Sequence, residues 1–492
     1  MTTPKPLDLD QFLQNCSRSS DFLTVPLTFL PSGFTFLYYK TLIDGDKLTQ
    51  LLQGLQEAAR DQAIEKLEDL VNILSSDEIE MTKDSARVQE ALLKGYLLIR
   101  QEAEPRFALV PIPGKKGMRT NNETDIEFSV IGPKVGFVED LETNLHLVRA
   151  QLCTPDLIVK ELTIGSVSKS RIVMMYMEGI ANPENVAKMT KRLSAIDFDI
   201  VFDTSQLDQL ISDNSFTPFP LFTTTERRDR VVYALSQGQV AVISEGSPYF
   251  ITGPSSLFDF FISPEDYYMP WLLGSFFRVI RIFGVIFSLF ATALYVAFTT
   301  YHYEVIPKEL LNRIIHSRQS VPFPPVIEVL FLEATVEFLR EAGARLPSRI
   351  GQTLGIVGGV VLGQAAVEAA FTSNILIIIV SLSALTSFVT PIYKMSNAIR
   401  FLRFPIIILA SLWGSLGIVI CLIFLLIHLS RLRSLGYPYT VPLFPLRVKD
   451  LRDSFIRSSY AYINKRPSYV KPVSSQRYKV RKRKPTTDFD EE

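Results

Sequence analysis

The sequence predicts an α/β two-subdomain soluble head, with an apparent internal duplication, followed by an α-helical transmembrane domain and a basic tail. Three observations carry this reading. Apolar residues concentrate after Trp271, strand-like and helix-like patterns alternate before it, and two stretches of the head repeat one another at a nearly constant spacing. The expected boundaries are 1–125 and 126–265 for the head subdomains, 266–432 for the membrane helices and 433–492 for the tail.

In the head, the β-rich runs GFTFLYYKTLI and RIVMMYMEGI each lead into a polar-capped helical pattern, DGDKLTQLLQGLQEA and ANPENVAKMTKRLSAI. Asp44 and Asn182 are the natural N-caps, because a short side-chain oxygen satisfies backbone N–H groups that the first turn leaves unpaired. Tyr38, Asp44, Leu48 and Leu55 correspond to Tyr176, Asn182, Val186 and Leu193 at one offset. Arg87, Val88, Ala91, Leu92, Gly95, Pro105 and Phe107 correspond to Arg230, Val231, Ala234, Leu235, Gly238, Pro248 and Phe250 at another, and the small difference fits a loop insertion. The linker PIPGKKGMRTNNETDIEFSVIGPKVGF separates the copies. Its GKKGMRT lacks the Gly-x4-Gly-Lys-Ser/Thr spacing that wraps a phosphate, and reads as a solvated loop.

Four segments are long and apolar enough to span about 30 Å of hydrocarbon. They are WLLGSFFRVIRIFGVIFSLFATALYVAF, IGQTLGIVGGVVLGQAAVEAAF, NILIIIVSLSALTSFVTPIY and FPIIILASLWGSLGIVICLIFLLIHL. Arg278 and Arg281 are expected at the cytoplasmic interface. A fifth segment, 323–342, carries Glu333, Glu337 and Glu341 on one helical stripe, with Glu328 and Arg340 nearby. Unpaired charges on lipid are costly, so this amphipathic helix is expected at the interface or packed inside a bundle.

The N-terminus has no apolar h-region, so no secretory signal is read and the head is expected in the cytoplasm. The tail, basic from Arg431 and Arg433 through RKRK at 481–484, argues for the same side and thus for an even number of crossings. Four crossings satisfy that parity but place Lys394, Arg400 and Arg403 outside. The tail interleaves tyrosines with its charges (SSYAYINKRPSYVKPVSSQRYKVRKRK) and is expected to meet anionic membrane lipids or solvent.

Lysine plus arginine equals aspartate plus glutamate, 51 each, so no overall charge argues for nucleic acid. Cys16, Cys153 and Cys421 are far apart and read as reduced thiols, neither a disulfide framework nor a metal set. His146, His302, His316 and His428 are isolated. There is no HExxH array, Gly-x-Ser-x-Gly elbow or Rossmann fingerprint. No catalytic residue, metal or cofactor is expected, and the chain does not read as an enzyme.

The informative membrane element is the Gly-rich segment. Gly351, Gly355, Gly359 and Gly363 recur every fourth residue beside Gly358, which lets another helix approach closely. Gln352, Gln364 and Glu368 add polar groups that at membrane depth must face partners or water. With Val361 these residues are candidates for helix packing within a subunit or for a pore lining, and the two readings overlap.

Several long blocks then coincide with a known family. IGPKVGFVEDLETNLHLVR, FPLFTTTERRDRVVYALSQGQVAVISEGSP, SPEDYY, VPFPPVIEVLFLEATVEFLREAGARLP and IGQTLGIVGGVVLGQAAV occur in order between about Ser129 and Pro442. Together they resemble the A subunit of the nutrient germinant receptors of bacterial endospores, the GerA family. The resemblance implies a spore inner-membrane protein with head and tail facing the spore core. It implies assembly with a transporter-like B subunit and a lipoprotein C subunit, and a homo-oligomer, a pentamer, forming a nutrient-gated ion channel. The family's A-subunit heads are α/β with two subdomains.

By position, Gly132, Pro133, Gly136, Phe137, Glu139, Leu141, Asn144 and Arg149 match the first block. Thr225, Glu226, Asp229 and Arg230 match the second, and Gly246, Ser247 and Pro248 the third. Their expected role is structural: turns for Gly and Pro, and pairing across the subdomains for Glu139 or Arg149. Ile131, Arg228 and Glu245 depart from the usual arginine, proline and aspartate, which weakens the case for a shared small ligand at those loops. The alternatives are a non-conducting scaffold or relay subunit, and a nutrient-independent paralogue acting with the dipicolinate-release machinery.

Overall fold

The computed structural model describes residues 8–478 except 31–32, 63, 75–78, 103, 115–123, 125–126, 128, 346–358, 360 and 449. Gly351, Gln352, Gly355 and Gly358, most of the GKKGMRT loop and the RKRK cluster therefore lie outside the described residues. The chain divides into two units that interleave in sequence. The head comprises Met1–Ser212, Thr224–Pro254 and Asn464–Glu492; the helical unit comprises Asp213–Thr223 and Ser255–Ile463.

The head contains two five-stranded sheets. The first is built from β1 (Phe22–Pro26), β2 (Phe34–Tyr39), β3 (Glu80–Thr82), β4 (Tyr96–Gln101) and β5 (Phe107–Pro111), in the order β1-β2-β4-β5-β3. The second uses β6 (Leu157–Ile164), β7 (Ser170–Met177), β8 (Thr223–Thr225), β9 (Val240–Ser244) and β10 (Phe250–Gly253), in the order β6-β7-β9-β10-β8. Numbered within each sheet, the two strand orders are the same.

In β2 the alternation of side chains sends residues to two cores. Phe34, Phe36 and Tyr38 pack with Leu97, Ile99 and Val110 beneath α2 (Gly45–Asp61) and α3 (Leu67–Ile73). Leu37 and Tyr39 face the other way, toward Phe12 and Cys16 of α1 (Leu9–Cys16) and Val88, Ala91 and Leu92 of α4 (Ser85–Leu93). Helices on both faces leave no solvent-facing side, so the strands read as continuous apolar runs.

The second sheet packs Val173, Met175, Ala241 and Ile243 against Leu145 and Val148 of α5 (Leu141–Gln151) and Val231 and Leu235 of α8 (Arg228–Gln237). Met189 and Leu193 of α6 (Pro183–Ser194) and Leu207 of α7 (Thr204–Ile211) are buried too. Local chemistry repeats between the halves. Asp44 accepts from the backbone N–H of Asp46 and Lys47 at the start of α2, and Asn182 from Glu184 at the start of α6. After α4 and α8 the chain turns on Gly95 (φ +85) and Gly238 (φ +93), left-handed positions that favour glycine.

The helical unit runs through α9 (Glu265–Tyr268), α10 (Trp271–Thr300), α11 (Lys308–Arg318), α12 (Pro325–Arg345), α13 (361–368), α14 (Asn374–Ser387), α15 (Tyr393–Trp413) and α16 (Ser415–Arg431). By length and composition, α10 and α15 are each able to cross a membrane, with 30 and 21 residues; α14 and α16 are apolar but shorter. The sequence FPIIILASLWGSLGIVICLIFLLIHL, expected as one span, is instead two helices divided at Gly414 (φ +57). A Cβ there would stand 2.9 Å from the His302 ring and 3.0 Å from Tyr301. Only glycine fits.

Contacts along α10 fix the direction of its neighbours. Tyr301, just past its C-terminus, donates from its hydroxyl to the carbonyls of Ser411 and Leu412, so α15 ends beside the end of α10. Ser373 faces Tyr295, Ser383 donates to the Ser288 carbonyl, and Thr386 lies against Gly284, so α14 runs antiparallel to α10. Ser396 of α15 donates to the Ser387 carbonyl, closing the corner between α14 and α15 at the Gly284 level. The corner carrying Lys394 and Arg400 thus lies toward the N-terminal half of α10.

Beyond α16, Ser434 donates to the Leu221 carbonyl and Tyr439 to that of Pro220, within the helical unit. Residues 464–478 belong to the head. Val473 donates its N–H to the Ile180 carbonyl, Asn185 donates to the Val470 carbonyl, and Arg466 donates to the Ser236 carbonyl. Tyr469 and Val470 are buried. This part of the tail, expected at lipid or in solvent, is packed protein because its tyrosine and valine fill an apolar seat.

Candidate functional site

The polar groups of the helical unit gather at two levels of α10. In its first turns, Arg278 and Arg281 are both buried and both donate to Asp266, at 3.0 Å from Arg278 Nε and 3.1 Å from Arg281 Nη2. Arg278 also pairs with Asp453 at 3.2 Å. The arginines expected at the cytoplasmic interface are enclosed by acidic partners, which offsets part of the cost of burying them.

Higher along α10 the carboxylates of α12 enter the bundle. Glu333 accepts from Arg403 of α15 at 2.6 Å, and Arg403 donates to Ser288 of α10 at 2.7 Å. Both ionic groups are 3 % exposed, and one pair joins three helices. Glu328, one turn earlier, accepts from Arg318 at 2.8 Å and from the Ser373 N–H at 3.3 Å. Glu337 is paired with Arg340, and Glu341 with Arg345. As residue numbers rise along α12, its partners descend along α10, so α12 packs antiparallel to α10.

Of the Gly-rich segment, Gly359, Val361, Gly363, Gln364 and Glu368 are described. Val361 is 56 % exposed, and among the described residues nothing lies within 4 Å of where a Cβ would stand on Gly359 or Gly363. Gln364 donates to Glu368 at 3.0 Å on the same exposed helix. The segment ends where Phe371 stacks on Phe323 and Phe331, with centroids 5.7 and 5.8 Å away. A polar pair beside glycines with open space is thus presented outward by the single chain. Among the described residues no group of His, Cys, Asp and Glu is placed to hold a metal ion.

In the head, Arg149 is 1 % exposed and reaches from α5 to the first subdomain. Its Nη2 and Nε donate to the two Asp21 oxygens at 2.6 and 3.1 Å, and Nη2 to Ser19 at 3.0 Å. Its guanidinium lies 4.4 Å from the Tyr39 ring centre. The description of a family of Bacillus/Clostridium GerA spore germination proteins matches residues 10–469, and so includes all these groups. The chain belongs to the GerA family. Spore germination protein GerQA of Bacillus cereus is 45% identical over 471 residues, covering 96% of this chain and 93% of GerQA. Spore germination protein A1 of Bacillus subtilis (strain 168) is 37% identical over 442 residues, covering 89% and 91%. The crystal structure of the N-terminal domain of the A subunit of the Bacillus megaterium spore germinant receptor GerK3 covers 50% of this chain and 92% of its own, at 26% identity and a TM-score of 0.37.

The residues that carry the GerA resemblance converge around the start of α5 and of α8. Asn144 accepts from the Val138 N–H at 2.8 Å and donates to the Val138 and Ser247 carbonyls. Glu226 accepts from the Glu127 N–H at 2.8 Å, and its carbonyl accepts from the Phe137 N–H. Arg227 donates to Asp229 at 2.7 Å and to the Pro133 carbonyl at 3.4 Å, while Arg230 pairs with Glu127 at 3.5 Å. Burial pushes the Glu127 carboxyl above its ordinary value, against the pull of Arg230. Gly132 (φ +112) and Gly246 (φ +80) occupy left-handed turns; Gly136 bridges to Arg227, and Pro248 opens the approach to β10. The Glu139 carbonyl accepts from the Gly246 N–H.

Asp21, Asp266, Ser288 and Arg403 carry much of this chemistry but stand in no local pattern. Asp21 and Arg149 are 128 residues apart, and Glu333 and Arg403 are 70 apart. Each becomes a partner only through tertiary packing. For Glu333 and Arg403 the sequence signal is the cost of an isolated charge among apolar residues.

Proposed function

We propose that this GerA-family chain is the A subunit of a spore germinant receptor, seated in the spore inner membrane with head and tail toward the spore core. Copies of it assemble, with transporter-like B and lipoprotein C subunits, into a nutrient-gated ion channel that starts germination. The observation that carries the reading is the outward-facing α13. Its Gln364–Glu368 pair would be costly against lipid and is accommodated by water or by a second copy, and Gly359 and Gly363 allow that copy close approach. A ring of such helices encloses an aqueous path.

We read six passes rather than four: α10, α12, a return between the end of α12 and the start of α14, then α14, α15 and α16. Glu333 and Glu328 would enter the membrane paired with Arg403 and Arg318, so α12 holds these two carboxylates inside the bundle. Division at Gly414 then turns the last apolar stretch into two passes. Six passes keep head and tail on one side and return Lys394 and Arg400 to the side of Arg278 and Arg281, which agrees with the positive-inside rule.

The test is spores in which the chain carries Gly359→Leu, which fills the open face. Loss of nutrient-triggered ion release, or leakage without nutrient, is expected; release indistinguishable from the parent would refute the role of α13. Ion flux in liposomes holding the purified assembly separates a channel from a non-conducting scaffold.

A further inference from the structure

The head exposes its large apolar residues unevenly. Among its described residues ten such side chains are exposed: Met81, Val130, Ile131, Val167, Phe198, Ile200, Phe202, Leu210, Val473 and Tyr478. Five of them, Val167, Phe198, Ile200, Phe202 and Leu210, fall in one region, the turn after α6, the hairpin beside it and the outer face of α7. Phe202 is 73 % exposed and Val167 69 %.

These residues are held in place rather than loosely strung. The Val167 N–H donates to the Asp199 carbonyl at 3.0 Å, and Ser166 donates to the Asp199 side chain at 2.9 Å. The Phe202 N–H donates to Gln206 at 2.8 Å, and Gln206 donates to the Ile200 carbonyl at 3.3 Å. With its backbone groups paired, the segment offers side chains, not a free strand edge. Next to it a groove of about 370 Å³ opens between the end of α6 and α7, with Ile196, Phe198, Leu210 and Ile211 in its walls. That volume takes two or three side chains.

The rim is acidic on balance, with Asp197, Asp199 and Asp203 against Lys169 and Arg192. The sequence IDFDIVFD, 196–203, alternates aspartates with large apolar residues, and no lysine or arginine occurs from Asp197 to Ser212. Asp197 and Asp199 are exposed, and neither forms an ion pair among the described residues. Arg192, on the groove's far wall, donates to the Ile211 carbonyl at 2.7 Å. An acidic, aromatic surface is repelled by an anionic bilayer, so lipid is a poor occupant. A clustered apolar patch with a charged rim is the pattern of a protein-binding face.

We infer that this groove docks a segment of a different polypeptide, one that carries lysine or arginine beside aliphatic or aromatic anchors. The anchors enter the groove and cover Phe198 and Phe202. The cations sit against Asp197 and Asp199. This inference is independent of the channel reading, because it concerns only the head.

The full-length chain, expressed in sporulating cells with Phe202→benzoylphenylalanine, is irradiated in its native membrane and the adducts are digested and sequenced. The expected adduct is a peptide of another protein with basic residues flanking an apolar one. Its yield should fall about tenfold when Asp197→Lys and Asp199→Lys are introduced together, and should persist with Asp197→Glu and Asp199→Glu. The head's melting temperature, measured on each variant, identifies a folding failure; there the single Asp197→Lys variant replaces the pair. An adduct with lipid, with this same chain or a second copy of it, or with an acidic peptide overturns the inference. So does the absence of any adduct, or a yield that charge reversal leaves unchanged.

Discussion

Replacing Arg149 by methionine tests how the two halves of the head are joined. The arginine meets both oxygens of Asp21, the Ser19 hydroxyl and, at 3.0 Å, the Leu157 carbonyl, while stacking on Tyr39. Methionine refills much of the volume but leaves Asp21, itself 2 % exposed, with the Ser19 and Thr41 hydroxyls as its side-chain donors among the described residues. A buried carboxylate that loses its cation costs about 3–5 kcal/mol. At about 2–4 °C per kcal/mol for a unit of this size, the head's transition should fall by about 6–20 °C. Calorimetry on the detergent-solubilised full chain measures the fall directly. The double variant Asp21→Leu with Arg149→Met removes both charges and should melt closer to the parent than the single variant does, since an apolar pair has no charge left to strand. A drop below about 2 °C for Arg149→Met, or a double variant that loses the sum of both singles, would refute the assignment of Arg149 as the joint.

Three further outcomes follow from the same geometry. Gly414→Ala forces a Cβ against Tyr301 and His302 at a left-handed position, so it should destabilise the corner between α15 and α16 by at least about 1–2 kcal/mol, read as a lowered melting temperature of the full chain. Burial pushes the Cys16 thiol up to about 11, with Tyr39 and Arg149 pulling it back only in part, so at pH 8 about one in a thousand is thiolate. Maleimide at that pH should therefore label the exposed Cys153 and spare Cys16; equal labelling would contradict the packing of α1. Burial raises the Glu142 carboxyl, but hydrogen bonds from Lys40 and Arg171 outweigh it and leave the group below its ordinary 4.5. A depressed carboxylate stabilises the fold above 4.5, and that contribution is lost as pH falls through the lower folded value. Glu142→Gln should flatten the acid limb of the stability profile in that window and leave pH 7–8 trends alone; an unchanged acid limb would speak against the Lys40 and Arg171 contacts.

What the sequence makes legible is local. Asp44 and Asn182 cap α2 and α6 because capping needs only a short polar side chain and the turn that follows it. Gly95 and Gly238 end their helices because the left-handed turn penalises any Cβ, and the same offset that aligns them aligns Val88 with Val231 and Leu92 with Leu235, all fully buried. Two sheets of one strand order lie around these matched positions. The division at Gly414 was hidden because one glycine in an apolar run changes neither its length nor its mean hydropathy. The partners of Glu333 and Glu328 were hidden for another reason: a helical stripe shows which residues share a face, not which distant arginine will meet them. The tail misled by composition, since its basic residues outnumber the few, Tyr469 and Val470 above all, that seat it on the head.

That seat has a consequence for how the protein is made. Residues 464–478 leave the ribosome after α16, yet they cover Asn185, the Ile180 carbonyl and the end of α8, which are translated hundreds of residues earlier. A domain usually closes as soon as its own stretch of chain has emerged. Here the second sheet waits, its last apolar seat open and its last hydrogen bonds unmade, while every helix of the helical unit is synthesised. Completion of the head is thereby a late event of biosynthesis, and a chain that stops before residue 464 leaves it unfinished.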